Sequence, residues 1–141
     1  MPRRLLNFMD HIEDFCPEDM IEDATPSMER VCAYFCRQYG TDPGTDRMLA
    51  ILSTPMKING YVGVKQNYFI TEIMQLRIVD SILNNRLMRI ALSPAQALSA
   101  IAACPESIRY DLAVLLICLC GVDHDITSAE RSFLYDVIDL V

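Results

Sequence analysis

A chain of 141 residues with 52% hydrophobic and 22% charged residues has the composition of one globular domain with its own core, not of a disordered segment. Its net charge of −7 arises in one place: residues 10–23 hold seven acids (Asp10, Glu13, Asp14, Glu18, Asp19, Glu22, Asp23) and no Lys or Arg, while the other twelve acids are balanced by the twelve Lys and Arg. Such a segment, with no basic stripe elsewhere, repels a phosphate backbone; this excludes nucleic acid as the expected partner and leaves a solvated face or a docking surface for a basic protein.

The longest apolar run, 112–122, is far short of the roughly 20 residues of a membrane span. After Arg3 and Arg4 the acids Asp10, Glu13 and Asp14 arrive too early for a signal peptide, so a cytoplasmic protein is expected. The six cysteines contain no C-x-x-C pair: Cys32 and Cys36 are four apart, Cys118 and Cys120 lie in the apolar AVLLICLCGV, and Cys16 and Cys104 stand alone. Cys32 and Cys36 share a helical face. With two histidines in the chain a four-ligand zinc set is not in reach, and free thiols in a reducing compartment are expected.

Taken in order, the chain reads as helices. RRLLNFMDHIEDF places Leu5, Leu6, Met9, Ile12 and Phe15 at helical spacing. Thr25-Pro26 sets a capping residue before a proline suited to a first turn; it predicts a helix start opening PSMERVCAYFCRQY, closed by Gly40 and followed by a loop, TDPGTD. GYVGV is too short and glycine-rich to be more than a turn. Ser93-Pro94-Ala95-Gln96 is a capping box, Cys104-Pro105 restarts a helix through LAVLLICLC, and Thr127-Ser128-Ala129-Glu130 is a second capping box. The last helix then buries Phe133, Leu134, Val137, Ile138 and Val141. The fold expected is all-α, a compact bundle of about six to eight helices.

A shift of 64 residues lays 48–76 over 112–140 without a gap. Leu52 meets Leu116, Asn59 meets Asp123, Val62 meets Ile126, Gln66 meets Glu130 and Phe69 meets Phe133. Each copy is helix, polar break, helix, which predicts two hairpins at about 46–77 and 110–141, each covering the face its partner cannot bury alone. The domain would then comprise acidic helices over 1–40 and a duplicated core over 44–141.

A break of the form Asp-Gly-x-apolar-(Ser/Thr)-x-x-Glu between two apolar helices, present twice, resembles the tellurite-resistance TerB-like family. Asp123, Ile126, Thr127 and Glu130 match it, with His124 in place of the glycine; the first copy keeps Gly60 and Val62 but carries Asn59, Gly63 and Gln66 for the aspartate, hydroxyl and glutamate. The resemblance implies an all-helical, pseudo-two-fold domain of a bacterial or phage-type protein, linked to chemical stress and tellurite resistance. It also implies acidic residues that bind divalent cations, and no enzymatic activity.

Asp123, Asp125 and Glu130 are the candidate metal ligands, and their hard oxygens suit Ca²⁺ or Mg²⁺. Thr127 and Glu130 have an alternative occupation as a reciprocal helix cap, and the helix N-terminus favours carboxylates with no ion at all. An EF-hand is excluded by spacing, since the twelfth position from Asp123 is Leu134. Asn59 and Gln66 cannot neutralise a cation in the first copy. His124, between two aspartates, reads as a surface imidazole with raised proton affinity. Without a nucleophile signature or a phosphate loop, the chain is expected to be a non-catalytic interaction module with a protein partner; the alternative is a divalent-cation sensor acting through 123–130. The methionines and tyrosines read mainly as core, with a Met-lined partner groove as the other option.

Overall fold

The computed structural model describes residues 2–76, 80–123 and 125–141. These residues are all-α, with no strand among them: α1 Arg3–His11, a 3-10 turn at Ile12–Asp14, α2 Pro17–Tyr39, α3 Thr41–Leu52, α4 Thr54–Asn59, α5 Val64–Met74, α6 Asp80–Ile90, α7 Pro94–Ala102, α8 Glu106–Gly121 and α9 Ser128–Asp139. The count exceeds eight only through the six-residue α4. Helix α8 is the centre of the bundle, buried over most of its length and packed against α1, α2, α3, α4, α5, α7 and α9. Among the described residues no helix is long and apolar enough to cross a membrane.

Both capping boxes form. The Ser93 hydroxyl accepts from the Gln96 amide at 3.3 Å and Gln96 Oε1 accepts from the Ser93 amide at 3.1 Å. These are contacts within four residues, so the sequence specifies them locally.

Helix α2 does not start at Thr25-Pro26. It starts at Pro17 with Cys16 as N-cap and Glu18 and Asp19 at its positive end, and Pro26 lies inside it. A proline there withholds the amide that would reach the Glu22 carbonyl, at a cost of about 3 kcal/mol. The helix continues because Met20, Ala24, Met28, Val31 and Phe35 form one buried stripe across the proline. Burying large apolar side chains at about 1.5–3 kcal/mol each outweighs one lost bond. Thr25, instead of capping, donates back to the Ile21 carbonyl at 2.6 Å.

TDPGTD is likewise not a loop but the first half of α3. Pro43 sits in the opening turn, where its missing amide is not needed. Gly44 serves the crossing of α2 and α3: a side-chain carbon at this position would stand 2.4 Å from the Phe35 carbonyl oxygen. The glycine marks a close helix approach, not a turn.

The 64-residue shift relates α5 to α9, and α3 with α4 to α8. In the first copy the leading helix is interrupted, because Pro55 has no amide to give the Ile51 carbonyl. The Thr54 hydroxyl donates to that carbonyl at 2.7 Å, and the Ser53 hydroxyl to Leu49 at 2.6 Å. The Thr54 hydroxyl thus substitutes for the missing amide, the Ser53 hydroxyl adds to the bond its own amide makes at 2.9 Å, and the chain resumes as α4. The copies pack reciprocally, α5 against α8 and α9 against α4.

Candidate functional site

The two breaks start their helices in the same way. Gln66 Oε1 accepts the Gly63 amide at 3.0 Å, and Glu130 Oε1 accepts the Thr127 amide at 3.1 Å. Thr127 completes its box by accepting the Glu130 amide at 3.2 Å, while Gly63 has no hydroxyl with which to reciprocate.

The breaks are also tied crosswise. Gln66, only 1% exposed, donates from Nε2 to the Leu119 carbonyl at 2.9 Å, in the last turn of α8. Carbonyls of a last turn lack intrahelical donors, so an amide from the other copy supplies what α8 cannot. In the opposite direction, half-buried Asp123 leans over Gly63: a side-chain carbon on Gly63 would stand 2.6 Å from Asp123 Oδ2. This accounts for glycine where the repeat pattern calls for a hydroxyl residue. The carboxylate of the second break fills the space, next to the start of α5, where the helix dipole favours it.

Glu130 is 2% exposed, and its second oxygen, Oε2, is buried with no hydrogen-bond partner among the described residues. Beside it lies Cys120; burial first, then the Glu130 carboxylate, push that thiol well above its ordinary range. Asp125 is exposed. The three candidate ligands therefore occupy three different environments. Among the described residues no group of three or more His, Cys, Asp or Glu side chains is placed to hold a metal ion. His124 lies outside the described residues.

Two features were not read from the sequence. Asp111, 3% exposed, accepts from Arg30 Nε at 2.8 Å, from Arg30 Nη2 at 2.9 Å and from the Ser27 hydroxyl at 3.0 Å. It binds α2 to α8 beneath a cleft of about 450 Å³ lined by Arg4, Phe8, Phe15, Asp23 and Tyr110. A buried acid bidentate to arginine and bonded to a hydroxyl is fully committed, and the pair ties α2 to α8 with the arginine side open to solvent. Its one sequence signal is an acid inside the otherwise apolar YDLAVLL.

The second feature is an apolar face in solvent. Tyr61, Val64 and Tyr68, spaced three and four apart at the start and along the outer side of α5, are 61%, 87% and 39% exposed. Partial burial, then the charges of Glu18 and Glu72, raise the Tyr68 hydroxyl above its ordinary range, which places the acidic start of α2 at the margin of this stripe. All seven acids of 10–23 are exposed.

Comparison of the chain with protein-family models, with curated proteins and with solved structures finds no match in any of the three.

Proposed function

We propose that the protein is a non-catalytic helical interaction module that docks a protein partner on the outer side of α5, with the acidic start of α2 as the rim. The Tyr61–Val64–Tyr68 stripe carries this reading. Val64 at 87% exposure is an aliphatic side chain almost wholly in water, flanked by tyrosines at helical spacing, with Glu18 and Glu72 near Tyr68. Apolar patches rimmed by charge are interaction surfaces, and tyrosine is enriched among the residues that carry binding energy. The partner that fits is a segment with an apolar face and basic flanks, an amphipathic helix laid along α5. The TerB-like pattern of the breaks supports a setting in a bacterial stress or tellurite-resistance-type response, in the cytoplasm, with the domain contributing a surface and no reaction.

The test is a fluorescence-anisotropy titration with two designed amphipathic peptides, one of leucine and lysine, the other of leucine and glutamate. The basic peptide is expected to bind with a salt-dependent affinity that Val64→Asp and Glu18→Lys each reduce at least tenfold. Equal binding of both peptides, or affinity unchanged by Val64→Asp, would overturn the reading.

A divalent-cation sensor is the second reading, favoured by the orphaned Oε2 of Glu130. Asp123 and Glu130 would supply its charge and Asp125 a third oxygen, with Ca²⁺ or Mg²⁺ as the ion. Thermal unfolding of metal-stripped protein with each ion decides it. A stabilising shift of several degrees, lost in Asp123→Ala, establishes the sensor; no shift from either ion removes it.

A further inference from the structure

Cys32 and Cys36 lie one turn apart on α2 with their sulfurs 3.9 Å from each other. Both are half-buried free thiols, and they line an open groove of about 470 Å³ between α2 and α5 together with Met28, Ile73 and Met74. Four of the groove's side chains end in or contain sulfur. One carboxylate, Glu29, also lines it, but no three-membered set of His, Cys, Asp or Glu forms there among the described residues.

We propose that this groove is a site for a soft monovalent cation, Cu(I), held by the Cys32 and Cys36 thiolates with a thioether of Met28 or Met74 as third ligand. The spacing supports it: two metal–thiolate bonds of about 2.3 Å spanning 3.9 Å meet at about 115°, the angle of a trigonal site with one position left open. Met28 and Met74 line the same groove as the two thiols, and a thiolate–thioether set suits a soft cation such as Cu(I). Zinc, which wants about four nitrogen, sulfur or oxygen ligands, lacks its set here. The helix fixes both cysteines on one face, so the pair needs no folding rearrangement to meet an ion.

Binding exchanges protons for metal: Cu(I) enters, two S–H bonds break, two S–Cu bonds form and two protons leave to solvent. Burial, then the neighbouring Cys36 thiol, raise Cys32 above its ordinary range. Because binding releases protons, affinity rises with pH. No oxidation is involved.

The experiment is an anaerobic titration of the full chain with Cu(I), kept reduced by ascorbate and buffered by the chromophoric competitor bicinchoninate. One equivalent is expected to leave the competitor, with a thiolate-to-copper band in the ultraviolet. The band and the equivalent should be lost in Cys32→Ser and in Cys36→Ser and kept in Cys16→Ser, whose thiol is exposed elsewhere. Met28→Leu with Met74→Leu should lower affinity and leave the one-to-one ratio. Failure of the wild-type chain to draw copper from the competitor would overturn the proposal. So would retention of the equivalent in a Cys32→Ser, Cys36→Ser double variant whose helicity by circular dichroism is intact.

Discussion

Gln66 and Glu130 occupy the same place in the two copies: third residue of a helix, buried, one oxygen turned back to the amide of the N-cap. They differ in the atom left over. The Gln66 amide nitrogen finds the Leu119 carbonyl, whereas the second Glu130 oxygen has no partner of good geometry among the described residues, and the carboxylate lies beside the Cys120 thiol. The comparison shows that a shared cap geometry does not settle polar satisfaction. The first break is closed by an amide that can both accept and donate; the second keeps an acceptor-only group. The interior leaves the copy with the better-matched motif less satisfied than the copy that has drifted from it.

That contrast can be attacked at several points. Gln66→Glu should have the largest effect, because it turns a donor facing the Leu119 carbonyl into a second acceptor; a loss on the order of 3 kcal/mol is expected in urea unfolding. No loss would mean that Leu119 has another donor and that the crosswise tie is incidental. Gly63→Ser should cost about 1–2 kcal/mol, because its side chain meets the Asp123 carboxylate. In an Asp123→Ala background the same change should be close to neutral or favourable, since the added hydroxyl can then cap α5. The double-mutant cycle should show coupling of about 1 kcal/mol or more, and additivity would break the account of the two breaks as interlocked. Glu130→Gln should stabilise by about 1 kcal/mol, raising the midpoint of thermal unfolding by about 4 °C, by replacing a buried carboxylate with a neutral amide while keeping the cap.

The smallest effect lies at alkaline pH. Cys120 in the second copy is replaced by Met56 in the first, so one copy alone brings an ionisable thiol to this position. Its folded form holds the proton to higher pH than the unfolded chain does. Stability is therefore complete below the ordinary thiol range near pH 8.5 and falls as pH rises through it. Cys120→Ala should flatten that decline without abolishing it, because burial also raises Cys118. Urea midpoints at pH 7 and pH 10 measure the difference.

What the sequence discloses of this fold is what short-range chemistry decides. Ser93-Gln96 and Thr127-Glu130 are legible because a hydroxyl and a carboxamide or carboxylate three residues on can satisfy each other without help. Thr25-Pro26 and TDPGTD mislead for the opposite reason. Proline and glycine punctuate a chain considered locally, but Met20 and Ala24 must be buried with Val31 and Phe35, and Gly44 must let α3 pass close to Phe35. Tertiary burial overrides both signals. Asp123, Asp125 and Glu130 are adjacent in sequence and look like one site, yet they are exposed to solvent, to the other copy and to the core to very different degrees. The tie from Gln66 to Leu119 and the exposed face of α5 depend on which helices neighbour which, and no spacing within one element records that.

Pro26 has a consequence for how α2 moves. One rung is missing from its hydrogen-bond ladder, between the acidic turns and the stretch that grips α3 and α8. Local opening of 17–25 has one bond fewer to break than elsewhere in α2, although it must expose Met20 and Ala24, so this end opens before 27–39. Amide protons on the acidic side should exchange earlier than those beyond the proline, with the step falling at Pro26. The carboxylates that rim the α5 face would then sit on the part of the helix with the most freedom to adjust to an arriving partner.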